Sequence, residues 1–216
     1  MKTFDLNGNY YLEQVSNQTR FYYALDLPNG DLYEAEELYA MGKLVQGTCL
    51  YLVDSLTEKI YLPVERKRYV CHSAPVYEDG KICFAGVDFS ASTVEILAWD
   101  TETKETSCMY QMPLNEVAST YNLMLHTSPL TLCALENREE DSLTIYYPEK
   151  KKIALNERES FFLREGDRLY FSVWWEDEND NYFEKTIVRD INSGEIVEEL
   201  PGDVFVLPDG RKWLLK

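Results

Sequence analysis

Histidine is scarce in this chain: 216 residues hold two, His72 and His126. A zinc site needs three or four converging ligands, and no spacing of His and Cys supplies them here. A nucleophile paired with histidine has equally little to draw on. No GxSxG elbow occurs, and His72 directly follows Cys71, so in a strand the two side chains point to opposite faces. His126 sits between LML and TSP, at what reads as a strand end. Both histidines are therefore expected to be structural or surface residues. GxGxxG and GxxxxGK are missing as well, which removes the Gly-rich phosphate loops. No cofactor is called for.

Basic charge is also in short supply. Lys and Arg number 21 against 38 Asp and Glu, a net charge of −17. Nucleic-acid affinity rests on Lys and Arg displacing counterions, so nucleic acid and anionic membrane surfaces are poor partners. The charge suits solubility, a basic partner or a bound cation. No stretch approaches the roughly 18 apolar residues of a membrane helix. The opening MKTFDLNGNYYLEQ lacks the run of about 7 to 15 apolar residues of a secretory leader. The cysteines, five in number, include no CxxC pair and most sit among apolar or β-branched neighbours. The expectation is a cytoplasmic protein with reduced, mostly buried thiols. A secreted form that has lost its leader is the other reading.

What the chain does have is apolar and aromatic bulk: 45% hydrophobic residues, with 16 Tyr, 9 Phe and 4 Trp. That is a globular composition, long enough for one sizeable core and read as a single domain over 1–216. CLYLV, KICFAGV, TVEILAW, LTIYY, RLYFSVWW, KTIVRDI and DVFVL are short runs of strand formers divided by polar turns. Residues 31–44, DLYEAEELYAMGKL, are the best helix candidate, with strand–turn–strand as the alternative.

The turns repeat. FDLNGNYYLEQ, VYEDGKICFAG, FLREGDRLYFS and VLPDGRKWLLK share an apolar segment, a polar turn ending in Gly, and a second apolar or aromatic run. Gly8, Gly80, Gly166 and Gly210 serve turns that need positive φ. Gly47 and Asn122 mark weaker copies, and the steps between the six positions are 39, 33, 42, 44 and 44 residues. A second turn motif opens with Asp26, Asp54, Asp100 or Asp190, whose carboxylates are placed to accept backbone N–H groups across the turn. YYPEKKKIAL resembles a fifth copy, with Pro148 in the Asp position.

A period near forty with strand-only units resembles a small, degenerate β-propeller. The resemblance covers nearly the whole chain in about five antiparallel units. No WD dipeptide ends a unit and no kelch Gly-Gly pair appears, so no named propeller family is implied and no functional residue carries over. The alternative is a large antiparallel β-sandwich or barrel. The last strand, with Trp213, is expected to pair with the N-terminal unit near NYYLEQ and to bury its ring there.

Functional candidates concentrate in WWEDENDNYF, residues 174–183. This reads as the end of a hairpin joining RLYFSVWW to KTIVRDI. Trp174, Trp175 and Tyr182 could form a platform for a sugar or a peptide. Asp177, Asn179 and Asn181 alternate as calcium ligands do, but Tyr182 and Val188 stand where an EF-hand needs Gly and Glu. A looser cation site or a solvated loop remains. Paired carboxylates are the only catalytic chemistry the composition readily supplies, and nothing in the sequence singles out Asp88, Glu95 or Asp100 for it. Basic patches at 65–69 and 149–152 read as turn or edge residues, the first with the alternative of contacting an acidic partner. The expected function is a non-catalytic interaction or ligand-binding module for a protein, small-molecule or sugar partner. The alternative is a carbohydrate-active hydrolase.

Overall fold

The alternating apolar runs become antiparallel strands in a computed structural model that describes residues 2–9, 11–136 and 141–215. Of the quoted motifs, Tyr10 and Lys216 lie outside the described residues. The chain divides into two compact units, Met1–Leu125 and His126–Lys216.

In the first unit, β1 (Glu13–Gln14), β2 (Phe21–Asp26), β3 (Cys49–Asp54) and β4 (Lys59–Tyr61) form a four-stranded meander. Its faces are both apolar because β3 is buried along its whole length. Leu50 and Leu52 join Val15, Phe21, Ile82, Phe84 and Trp99 in one cluster. Cys49, Tyr51 and Val53 point the other way, onto Leu6 and Ala24. The helix α1 (Leu32–Ala40) lies between β2 and β3 in the sequence. Asp31 accepts the Glu34 N–H at 2.9 Å, and Glu34 Oε2 accepts the Asp31 N–H at 3.0 Å. This capping box selects helix over strand–turn–strand.

The second sheet holds β5 (Val70–His72), β6 (Val76–Glu78), β7 (Lys81–Asp88), β8 (Thr93–Asp100) and β9 (Thr106–Pro113). β5 and β6 pair with opposite ends of β7, so they are two pieces of one interrupted first strand. The third sheet runs β10 (Leu123–His126), in which the division between units falls, then β11 (Thr131–Glu136), β12 (Ser142–Tyr147) and β13 (Lys151–Ala154). The fourth runs β14 (Glu159–Glu165), β15 (Arg168–Glu176), β16 (Tyr182–Asp190) and β17 (Ile196–Pro201), and a hairpin of β18 (Asp203–Val206) and β19 (Lys212–Leu215) follows.

These are separate blade-like meanders, and the architecture is β-propeller-like; the large sandwich or barrel is set aside. As the repeat predicts, β7 after Gly80 and β15 after Gly166 are each the second strand of a meander. The Asp motif recurs between third and fourth strands. Asp54, Asp100 and Asp190 each accept N–H bonds from the residues two and three positions on. Four positions on, Glu58, Lys104 and Gly194 all have positive φ and donate their N–H to the Asp carbonyl. Asp26 departs from the pattern: it precedes α1 and pairs with Arg66.

Three expectations need correction. Gly47 and Asn122 have positive φ, 78° and 58°, but neither divides a first strand from a second. Gly47 precedes β3, a third strand, and Asn122 precedes β10, a first strand, which accounts for the uneven steps of the repeat. Trp213, expected to be buried, is not. It pairs with Phe205 across the β18–β19 hairpin and is 54% exposed. Strand β1 pairs with β2, and Leu6 is buried in the first unit's own cluster.

Candidate functional site

The site is built by length. β15 and β16 are nine residues each and pair from Arg168↔Asp190 to Glu176↔Tyr182. Their neighbours stop earlier: β14 pairs β15 no further than Glu159↔Val173, and β17 pairs β16 no further than Thr186↔Leu200. Beyond those points neither β14 nor β17 flanks the hairpin, although Gly202, just before β18, still bridges Lys185 on the β16 side. Leu169 and Phe171 in its flanked part are fully buried, while Trp174, Trp175, Tyr182 and Phe183 are 39%, 38%, 59% and 42% exposed.

Strand alternation distributes these rings over both faces. Trp174 and Tyr182 share one face and lie nearly parallel, at 16° with centroids 6.2 Å apart. Trp175 and Phe183 share the other, at 14° and 5.6 Å. The Arg158 guanidinium stands 5.0 Å from the centre of the Trp174 ring. Glu184, opposite Trp174 in the register, accepts the Ser172 hydroxyl at 2.6 Å. The three aromatic residues singled out in the sequence thus meet on one ribbon, although Trp175 faces away from the other two. Phe183 was missed; its place opposite Trp175 needs the exact length of the connecting loop.

The loop closes on Asp177. Its carboxylate accepts the N–H groups of Asn179 at 2.8 Å and Asn181 at 3.0 Å, and the Asn181 side-chain amide at 2.9 Å. The Asn181 side chain and these backbone N–H groups hold the Asp177 carboxyl below the usual carboxylate range. Asp177, Asn179 and Asn181 are therefore brought together as a turn, with the Asn181 amide nitrogen turned towards Asp177. Among the described residues no group of three or more His, Cys, Asp and Glu is gathered to hold a metal ion.

The other candidates have partners of their own. Asp88 pairs with Lys67 at 2.7 Å, Glu95 accepts the Gln111 amide at 2.9 Å, and Asp100 caps its turn. Asp88 and Asp100 sit at opposite ends of the β7–β8 hairpin, so they do not flank one bond. His72 Nδ1 lies 2.9 Å from the Thr48 hydroxyl, and His126 packs on Phe161 at 4.5 Å. Burial pushes both histidines down to about 4. In the basic patches Arg66 and Lys67 pair with Asp26 and Asp88, and Lys152 pairs with Glu136. No helix among the described residues is long and apolar enough to cross a membrane.

No protein-family model matches the chain, and no curated protein does. A solved structure, the β-propeller domain of the Trilobed protease from Pyrococcus furiosus, described by its open velcro topology, is similar to 91% of this chain. The identity is 11%, the TM-score is 0.48, and the match spans 60% of that chain.

Proposed function

We propose that this protein is a non-catalytic binding module whose partner seats on the aromatic ribbon at the end of β15–β16. One observation carries the reading. Four aromatic rings occupy the part of the hairpin that runs past its flanking strands, where they remain 38% to 59% exposed. Rings placed there add little to the core, and Trp and Tyr are the residues that most often dominate binding energy when a partner covers them. Small-molecule sites are concave. A projecting ribbon with rings on both faces suits a polypeptide better. A cytoplasmic setting fits the five unpaired cysteines.

The test replaces Trp174 and Trp175 by serine together. The variant should unfold within about 2 °C of the unaltered protein, because little of the core is touched. It should lose the proteins that co-purify specifically with the unaltered chain. Retention of all of them by the folded variant would move the binding surface elsewhere.

A further inference from the structure

Resting on that reading, we infer that the partner is a basic, extended polypeptide segment whose arginine side chains stack on the exposed rings of the ribbon. The first ground is charge. Glu176 stands opposite Tyr182 in the register, Glu178 and Asp180 follow in the connecting loop, and among the described residues none of the three has an ion-pair partner. The nearby Lys185 is already held by Glu199 at 2.7 Å. An aromatic face attracts a cation through its quadrupole, and uncompensated carboxylates beside it raise the preference for positive charge and speed encounter.

The second ground is the Arg158 guanidinium, 5.0 Å from the Trp174 ring centre. The chain itself shows that this ring accepts an arginine. The third is backbone geometry. Past Val173 the β15 edge is unflanked by β14, whereas on the β16 edge Gly202 still bridges Lys185, so an extended segment has room to add beside β15. Successive side chains of such a strand point to opposite faces. Neighbouring arginines would then meet the Trp174–Tyr182 pair and the Trp175–Phe183 pair in turn. A nucleic acid would meet the same carboxylates as repulsion.

The experiment measures anisotropy of a labelled nonapeptide of arginine and serine on the full chain, beside peptides with glutamine or glutamate replacing arginine. The arginine peptide should bind tightest, and its affinity should fall about tenfold or more between roughly 50 and 500 mM salt. Trp174→Ala with Trp175→Ala should weaken it about tenfold or more. Glu176→Gln, Glu178→Gln and Asp180→Asn together should weaken it and flatten its salt dependence. Arg158→Gly should tighten it several-fold by clearing the Trp174 face; glycine suits the positive φ of 68° there.

Equal binding of the glutamine peptide would overturn the basic partner, and if the tryptophan variant still weakened that binding, the ribbon would stand as the surface. Arginine-peptide binding that ignores both tryptophans would overturn the ribbon itself. Unchanged or weaker binding to the Arg158→Gly variant would overturn stacking on Trp174. Binding of none of the peptides would overturn the inference.

Discussion

Arg20 grips Asp54 through two parallel hydrogen bonds, Nε to Oδ1 at 2.8 Å and Nη2 to Oδ2 at 2.5 Å. The Asp54 side chain is fully buried, and the same carboxylate accepts the Leu56 N–H and the Thr57 hydroxyl. Arg20 holds this carboxyl far below the usual range. Asp54→Asn puts an amide nitrogen against donors and should cost on the order of 2 to 3 kcal/mol, with Arg20 remaining partly solvated. Asp100 caps the equivalent turn in the second sheet without such a partner, so Asp100→Asn should cost clearly less. Urea unfolding of the two variants checks the order; equal losses would assign the stabilisation to the turn alone.

Gly47 and Gly8 have similar backbones, φ 78° and 87°, but different surroundings. A Cβ on Gly47 would come within 2.0 Å of the Lys67 carbonyl and 2.8 Å of the Val70 carbonyl, whereas one on Gly8 meets nothing within 4 Å. Gly8→Ala should cost about 1 kcal/mol, the strain of the left-handed conformation. Gly47→Ala should cost about 2 to 3 kcal/mol more, because backbone has to move. Matching losses in denaturant unfolding would show that the Lys67–Val70 segment yields freely.

The same two glycines show where the sequence was legible. Turn motifs were readable because their chemistry is local: Asp54, Asp100 and Asp190 bond to groups two to four residues away. Gly47 resembled a hairpin glycine because a close approach and a tight turn demand the same φ; only the fold brings Lys67 to it. The aromatic end of β15 was legible as a hairpin end. Its exposure was not, since that depends on where β14 and β17 stop. Trp213 was misread for a similar reason. Its apolar neighbours indicated a strand, and the exposure of that strand depends on pairings outside its own hairpin.

The thiols give a count. Cys49, Cys71, Cys83 and Cys133 are buried, and Cys108 on β9 is exposed. Burial pushes the Cys71 and Cys83 thiols up to about 11, so they carry little of the reactive thiolate near neutral pH. One thiol should label in the native protein and all five after unfolding, with Cys108→Ser abolishing the native signal. Rapid native labelling of the Cys108→Ser variant would mean that a sheet opens under those conditions.

Acid should destabilise both units through one residue in each. His72 is buried against Phe84 and Thr48 in the first unit, and His126 is half-buried in the second, its ring on Phe161 and its Nε2 shielded from solvent. Each takes up a proton only near pH 4 when folded, while the unfolded chain does so near 6.5. Between those values the unfolded state binds more protons, so stability is full above about pH 6.5 and is lost as pH falls towards 4. From pH 7 to 5 each histidine should account for a loss of about 2 kcal/mol. Carboxylates with ordinary values titrate mostly below that window, which leaves the histidines in view. His72→Gln keeps a polar partner for Thr48 and cannot titrate, so urea unfolding should show about half the pH-dependent loss; His126→Gln should remove the rest. If stability of the doubly substituted protein falls as steeply from pH 7 to 5 as that of the unaltered chain, other groups govern its acid sensitivity.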